Sequence, residues 1–204
     1  MNIAVVQDGV RSSHERELER LSRRIRTMPK RASRPVVVHL GNVGIGNPGE
    51  IPAKKTRDYA RLFPNVRFIG IDSRAIDPTL VNWREQHQGS FGKIITRMPD
   101  ASVDLFTSDY AWGNYSSWQP TYGSEEEDAR QIFRALKPGG KVLVAVMKER
   151  AESLRAKLEG AGFKQANIKL RPLKPREYNR THWLQFSGSI QLEFAQITAV
   201  KPKG

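Results

Sequence analysis

Three glycines, Gly41, Gly44 and Gly46, follow directly on an apolar run in the stretch VVVHLGNVGIGNPGE (residues 36–50). Roughly 25 residues beyond them Asp72 closes a second apolar run, FIGI. Glycine lacks a Cβ, so such a loop can turn tightly and let a ligand touch the backbone, and a following helix start offers free N–H groups. An acid at the next strand end can accept both hydroxyls of a ribose. Each feature also has a plainer reading: glycine-rich turns serve ordinary strand-to-helix connections, and an Asp after a strand often caps a helix. Together, at this spacing, they favour a cofactor that contains a nucleoside.

A second constellation lies further along. Ser108-Asp109-Tyr110-Ala111-Trp112 follows an apolar segment, and Tyr115, Trp118 and Tyr122 extend it into YAWGNYSSWQPTY, the richest aromatic stretch in the chain. Exposed rings beside basic residues suit an unstacked base, whose stacking on one aromatic is worth roughly 1–3 kcal/mol. The same rings could pack under a loop or line a pocket for a small apolar acceptor. Near the C-terminus, LKPREYNRTHWLQFSG adds Lys174, Arg176, Arg180, His182 and Trp183 as a second basic and aromatic segment. The four histidines stand at 14, 39, 87 and 182 and there is no cysteine, so no metal-ligand spacing, thiolate site or disulfide framework is present.

The elements that must position these residues alternate regularly. Strands are expected at 36–40, 66–71, 102–107, 141–147, 166–170 and 190–200. Helices are expected at 53–62, 78–88, 125–136 and 150–161, the third stopped by Lys137-Pro138-Gly139-Gly140 and the last capped by Gly162. Near-continuous apolar strands alternating with helices predict an α/β fold, a mainly parallel sheet covered on both faces. The irregular segment 171–188 is no crossover helix, which makes the final strand antiparallel. Ahead of this body, residues 11–34 carry Leu18, Leu21 and Ile25 at helical spacing among many arginines. They read either as a solvated helix face with Glu/Arg pairs or as a phosphate-contacting arm. The expected division is a basic arm over 1–34 and one domain over 35–204.

In their order along the chain these segments resemble the class I S-adenosylmethionine-dependent methyltransferases, from about Pro35 to Val200. VVVHLGNVGIG resembles motif I, FIGIDSRAI the motif with the ribose-binding acid, and RMPDASVDLFTSD the approach to the fourth strand. IFRALKPGGKVLVAV resembles the entry to the fifth strand, and AESLRAKLEGAGFKQANIKL the segment after it. The resemblance implies a seven-stranded Rossmann-like sheet with a reversed last strand, and S-adenosyl-L-methionine as cofactor. It implies cofactor-binding roles for His39, Gly41, Asn42, Gly44, Gly46, Asp72, Ser90, Phe91 and Asp109. His39 stands where motif I usually has an acid, and Gly89-Ser90-Phe91 where many members have Gly-Asp and an apolar residue. In amino-methylating members the place of Asp109 to Trp112 holds Asn/Asp-Pro-Pro-aromatic. This implies that Asp109 accepts a hydrogen bond from the target amine while Trp112 stacks on the base.

The chain has 204 residues, 34 Lys+Arg against 21 Asp+Glu, and a formal net charge of +13. Such a field attracts polyanions, so nucleic acid is the expected partner, RNA before DNA, although a generally basic surface would give the same number. No apolar run approaches the ~20 residues that cross a bilayer, and the N-terminus has no secretory pattern. A cytoplasmic protein with no membrane partner is expected. The readings that compete with a nucleic-acid methyltransferase are a small-molecule or protein methyltransferase and a non-catalytic nucleic-acid-binding protein on a degenerate methyltransferase fold. A nicotinamide-dependent oxidoreductase is disfavoured by the glycine spacing and the Lys137–Gly140 turn.

Overall fold

The computed structural model describes residues 13–26, 34–41, 64–72, 85–109, 111–113, 123–174 and 193–203. Seven strands form one sheet: β1 (Val36–Leu40), β2 (Arg67–Asp72), β3 (Gln86–Gln88), β4 (Val103–Asp109), β5 (Leu136–Met147), β6 (Ile168–Pro172) and β7 (Phe194–Val200). Their spatial order is β3-β2-β1-β4-β5-β7-β6. The pairs from β3 across to β5 are all parallel, and β7 is antiparallel to both β5 and β6. The reversed last strand expected from the chain between β6 and β7 is therefore present.

The helices are α1 (Ser13–Arg26), α2 (Phe91–Ile95), α3 (Glu125–Ala135) and α4 (Lys148–Gly160). Alternation along the strands sends Val38, Leu40, Ile69, Ile71, Phe106, Val142, Val144 and Val146 to one face, where they form the main core with α2, α3 and α4. Val37, Phe68, Leu105 and Leu143 point the other way and meet Leu21 of α1. Burying one leucine of this kind contributes on the order of 2 kcal/mol, and Lys141 of β5 adds an ion pair to Glu17 of α1 at 3.0 Å. The N-terminal helix thus lies on the sheet. Ser124 caps α3 by accepting the Glu127 N–H, and four acids fill that helix's first turn, where the helix dipole favours negative charge.

Several element boundaries differ from expectation. Residues 86–88, expected to end a helix, form the edge strand β3, with Gln86, His87 and Gln88 beside Gly70, Ile71 and Asp72. A polar edge strand has no buried face, so its residues carry no period-two apolar signal. Strand β5 begins at Leu136, but Val103 faces Leu136 while Leu105 faces Lys141, so the Lys137–Gly140 turn bulges from the ladder. Gly139 in it has φ +75°. The Gly162 cap is present: φ is +112° and its N–H donates to Glu159 O. Strand β7 is described from Phe194, and the expected helix at 53–62 lies outside the described residues.

Candidate functional site at the strand ends

The order of the sheet reverses at β1: β2 and β3 lie on one side of it, β4 and β5 on the other. In an open α/β sheet the crevice beyond the carboxyl ends at this switch point is the usual ligand site. Gly41 and Asp72 end neighbouring strands there. Leu40 is paired with Ile71, and the Gly41 N–H donates to Ile71 O at 2.7 Å, so the start of the glycine loop and the acid stand side by side. Asp72 is buried, and its carbonyl accepts the Gly89 N–H at 2.8 Å, which brings Ser90 to the same strand end. Ser90 precedes α2 without bonding to it through its side chain.

Gly41 has a packing reason as well as a functional one. Its φ is +85°, and a Cβ built on it would stand 2.1 Å from the Ala111 Cβ. The turn after β4 thus closes directly over the end of β1. Ser108 locks that closure. Its hydroxyl donates to Leu40 O at 3.0 Å and accepts the Trp112 N–H at 2.9 Å, joining β1, β4 and the turn through one buried side chain. The sequence reading assigned Ser108 no role. Its position just after an apolar strand was visible, but its partner on β1 is 68 residues away.

The expectation that Trp112 stacks on a base is corrected. Its ring is 0% exposed within the main core, so no face is open to a ligand. Gly113 follows at φ +90°, so close to Leu154 and Val146 that an added Cβ would stand 2.5 and 2.8 Å from them. That close approach sinks the turn into the sheet. Phe91, for which the resemblance implied a cofactor-binding role, is 2% exposed and packs in the main core as the first residue of α2.

His39 is buried, with Nδ1 2.7 Å from Thr107 Oγ1, a hydrogen bond between adjacent strands β1 and β4. This is the arrangement of a packed strand-end histidine. Asp104, the second acid of the RMPDASVD stretch, accepts the Val36 N–H at 2.9 Å and Lys137 Nζ at 2.7 Å, tying the start of β1 to the bulge near the start of β5. Asp109 ends β4 opposite Ala145. Asn42, Gly44, Gly46, Tyr115, Trp118, Tyr122, Arg176, Arg180, His182 and Trp183 lie outside the described residues.

A further buried acid was not singled out from sequence. Asp128 of α3 sits against the N-terminus of α2, where a Cβ on Gly92 would stand 2.7 Å from its Oδ1. Burial pushes its carboxyl up to about 7, the nearby Glu125 and Glu127 push the same way, and the Gly92 N–H and the Trp112 indole oppose them. Neither Trp112 Nε1 nor Asp128 Oδ2 has a partner at full hydrogen-bonding geometry among the described residues. Glu125, one turn before, is buried and paired with both Arg150 and Lys157. Arg150 also reaches the Gly113 carbonyl at 3.4 Å, so α3 and α4 brace the turn from below.

Among the described residues no group of histidines and acids could hold a metal ion, and no helix is long and apolar enough to cross a membrane. No family model and no curated protein sequence matches the chain. Solved structures do. A phosphoethanolamine N-methyltransferase 2 from Haemonchus contortus, in complex with S-adenosyl-L-methionine, superposes with a TM-score of 0.56 at 16% identity, over 92% of this chain and 52% of that one. The chain thus spans about half the length of that enzyme. A SAM-dependent methyltransferase from Archaeoglobus fulgidus superposes with a TM-score of 0.52 at 12% identity, over 93% and 95% of the two chains. The cyclase SpnF gives 0.59 at 16% identity, over 98% and 86%. With its strand order, reversed β7 and switch point at β1, the chain has the fold of the class I S-adenosylmethionine-dependent methyltransferases.

Proposed function

We propose that this protein is an S-adenosylmethionine-dependent methyltransferase acting on nucleic acid, RNA in preference to DNA. The observation that carries the cofactor is the placement of Gly41 and Asp72 at adjacent carboxyl ends beside the switch point. A bare backbone and a ribose-accepting acid stand together there, as a nucleoside needs. S-adenosyl-L-methionine supplies a methyl group on a sulfonium, which is already a good leaving group. The chain's own work is then to align and exclude water rather than to move protons. Asp72 would accept hydrogen bonds from the ribose hydroxyls, Gly41, Asn42, Gly44 and Gly46 would hold the rest of the nucleoside, and Ser90 would hydrogen-bond to it. Asp109, at the end of β4, accepts a hydrogen bond from the acceptor. Nucleic acid as acceptor is supported by the net charge of +13.

A small-molecule or protein acceptor is the second reading. The burial of Trp112 favours it, because the ring that would stack on a base is taken up by the core. The Haemonchus contortus neighbour is itself named for a small acceptor. Binding without turnover is the third, favoured by His39 in the place of the motif I acid and by its engagement with Thr107. Methyl transfer from labelled cofactor to total RNA, DNA, protein and small-metabolite fractions separates the three. The proposal expects label in RNA. Label confined to metabolites or protein supports the second reading, and RNA retention without any transfer supports the third.

A further inference from the structure

We propose that a basic cavity at the amino ends of β4 and β5, the opposite end of the sheet from the cofactor site, seats the phosphodiester backbone of a nucleic acid. This deepens the nucleic-acid reading above and rests on it. The cavity holds about 450 Å³ and is lined by Arg20 of α1, Lys141 of β5, Asn167, and Lys201 and Lys203 after β7, with the Pro138–Gly139 backbone between them. That volume lies within the ~300–1,000 Å³ of ordinary ligand sites.

Its charge is unbalanced. Four cationic side chains line it against two acids, Glu17 beside Arg20 and Lys141, and Asp100, which is paired with Arg134 and also acts on Lys201. Glu17 is shared between Arg20 Nη2 at 2.6 Å and Lys141 Nζ at 3.0 Å, so one carboxylate answers two cations. Burial alone would raise the Glu17 carboxyl; the bonds from Arg20 and Lys141 more than offset it and hold it below its ordinary value. Lys201 donates to the carbonyls of Phe133 at 2.7 Å and Leu136 at 2.8 Å, the open C-terminal end of α3; burial holds its ammonium below the ordinary lysine range and Asp100 acts the other way. Lys203 has no acidic partner among the described residues and lies along Gly139, where an added Cβ would stand 3.4 Å from its Cε.

The cations also run on beyond the cavity, which argues for a chain of phosphates over a single anion. Arg16, Arg20 and Arg23 recur at i, i+4 and i+7 on α1, a stripe with steps of about 6 and 4.5 Å along the axis. The Arg20 and Arg23 side chains are 50% and 73% exposed. Each guanidinium is at least half exposed despite its pair with Glu17 or Glu19, so either can be shared with a phosphate. The seven residues of β4 separate this end of the sheet from the methyl-transfer end by roughly 23 Å. A polymer can touch both ends; a mononucleotide cannot.

The test is fluorescence anisotropy of a labelled single-stranded RNA oligonucleotide with the full chain, over a series of salt concentrations. The paired variant Arg20→Gln with Lys203→Gln changes exposed positions and should weaken binding roughly tenfold at low salt and reduce the log–log salt slope by about 1.4, two contacts of about 0.7 each. Glu17→Gln should act oppositely and tighten binding, which a merely structural role for Glu17 would not produce. Cofactor binding by calorimetry should be unchanged in the paired variant. If the wild type binds RNA and the paired variant matches it in affinity and slope, the cavity is overturned while the nucleic-acid reading stands. Failure of the wild type to bind RNA overturns both. Displacement of bound RNA by inorganic phosphate at matched ionic strength would identify a discrete anion site and overturn the polymer.

Discussion

Ser108 and Gly41 hold the switch point closed, and both can be tested singly. Ser108→Ala leaves the Trp112 N–H without its acceptor and Leu40 O without its donor in the core. A buried donor left unsatisfied costs about 1–3 kcal/mol, so the variant should unfold at lower denaturant concentration and bind cofactor more weakly. Gly41→Ala should be worse, since the new methyl would meet Ala111 at 2.1 Å on a backbone at φ +85°. A thermal melt with little change would show that the turn after β4 does not close over β1 as described. Trp112→Ala should destabilise by about 3–5 kcal/mol, the cost of emptying a large core site. A ring that stacked on a ligand instead would leave stability nearly intact and reduce only binding. At this scale the place of Asp72 at a strand end was legible, because an acid directly after an apolar run stands out. Trp112 was not. Its polar, aromatic neighbours suggested exposure, and the Gly113 contact with Leu154 and Val146 that buries it is tertiary.

At the scale of elements, α2, α3 and the turn after β4 meet at Asp128. The Asp128 carboxyl is raised from 3.8 to about 7 in the fold, so the native state holds a proton that the unfolded chain has lost over that range. The stability this group contributes is therefore full below 3.8, falls as pH rises, and is gone above about 7. Asp128→Asn should remove that slope and raise the melting temperature at alkaline pH. Unfolding midpoints measured across the window check it, and a variant with the wild-type slope would contradict the assignment. Strands β1, β2, β4 and β5 and helices α3 and α4 were legible because each carries a continuous or periodic apolar pattern longer than its turns. The edge strand β3 was not, since Gln86, His87 and Gln88 bury no common face, and neither was α2, whose five residues are too few to show a helical period.

Across the whole molecule, the alternation of strands and helices was enough to predict a parallel sheet, but not its order. The order β3-β2-β1-β4-β5-β7-β6 was not legible: the resemblance implied only seven strands with the last one reversed, and nothing local to a strand says which neighbour it will take. The net charge was legible at once, whereas the meeting of Arg20 with Lys141 and Lys203 at the amino end of β5 depends on α1 folding against the sheet. The central claim is that the carboxyl ends of β1 and β2 together hold a nucleoside cofactor. Isothermal titration calorimetry of S-adenosyl-L-methionine into the wild type and into Asp72→Ala tests it most directly. Binding by the wild type that is weakened at least tenfold in the variant, about 1.4 kcal/mol, is the predicted result. No binding by the wild type, or equal affinity in the variant, would contradict it.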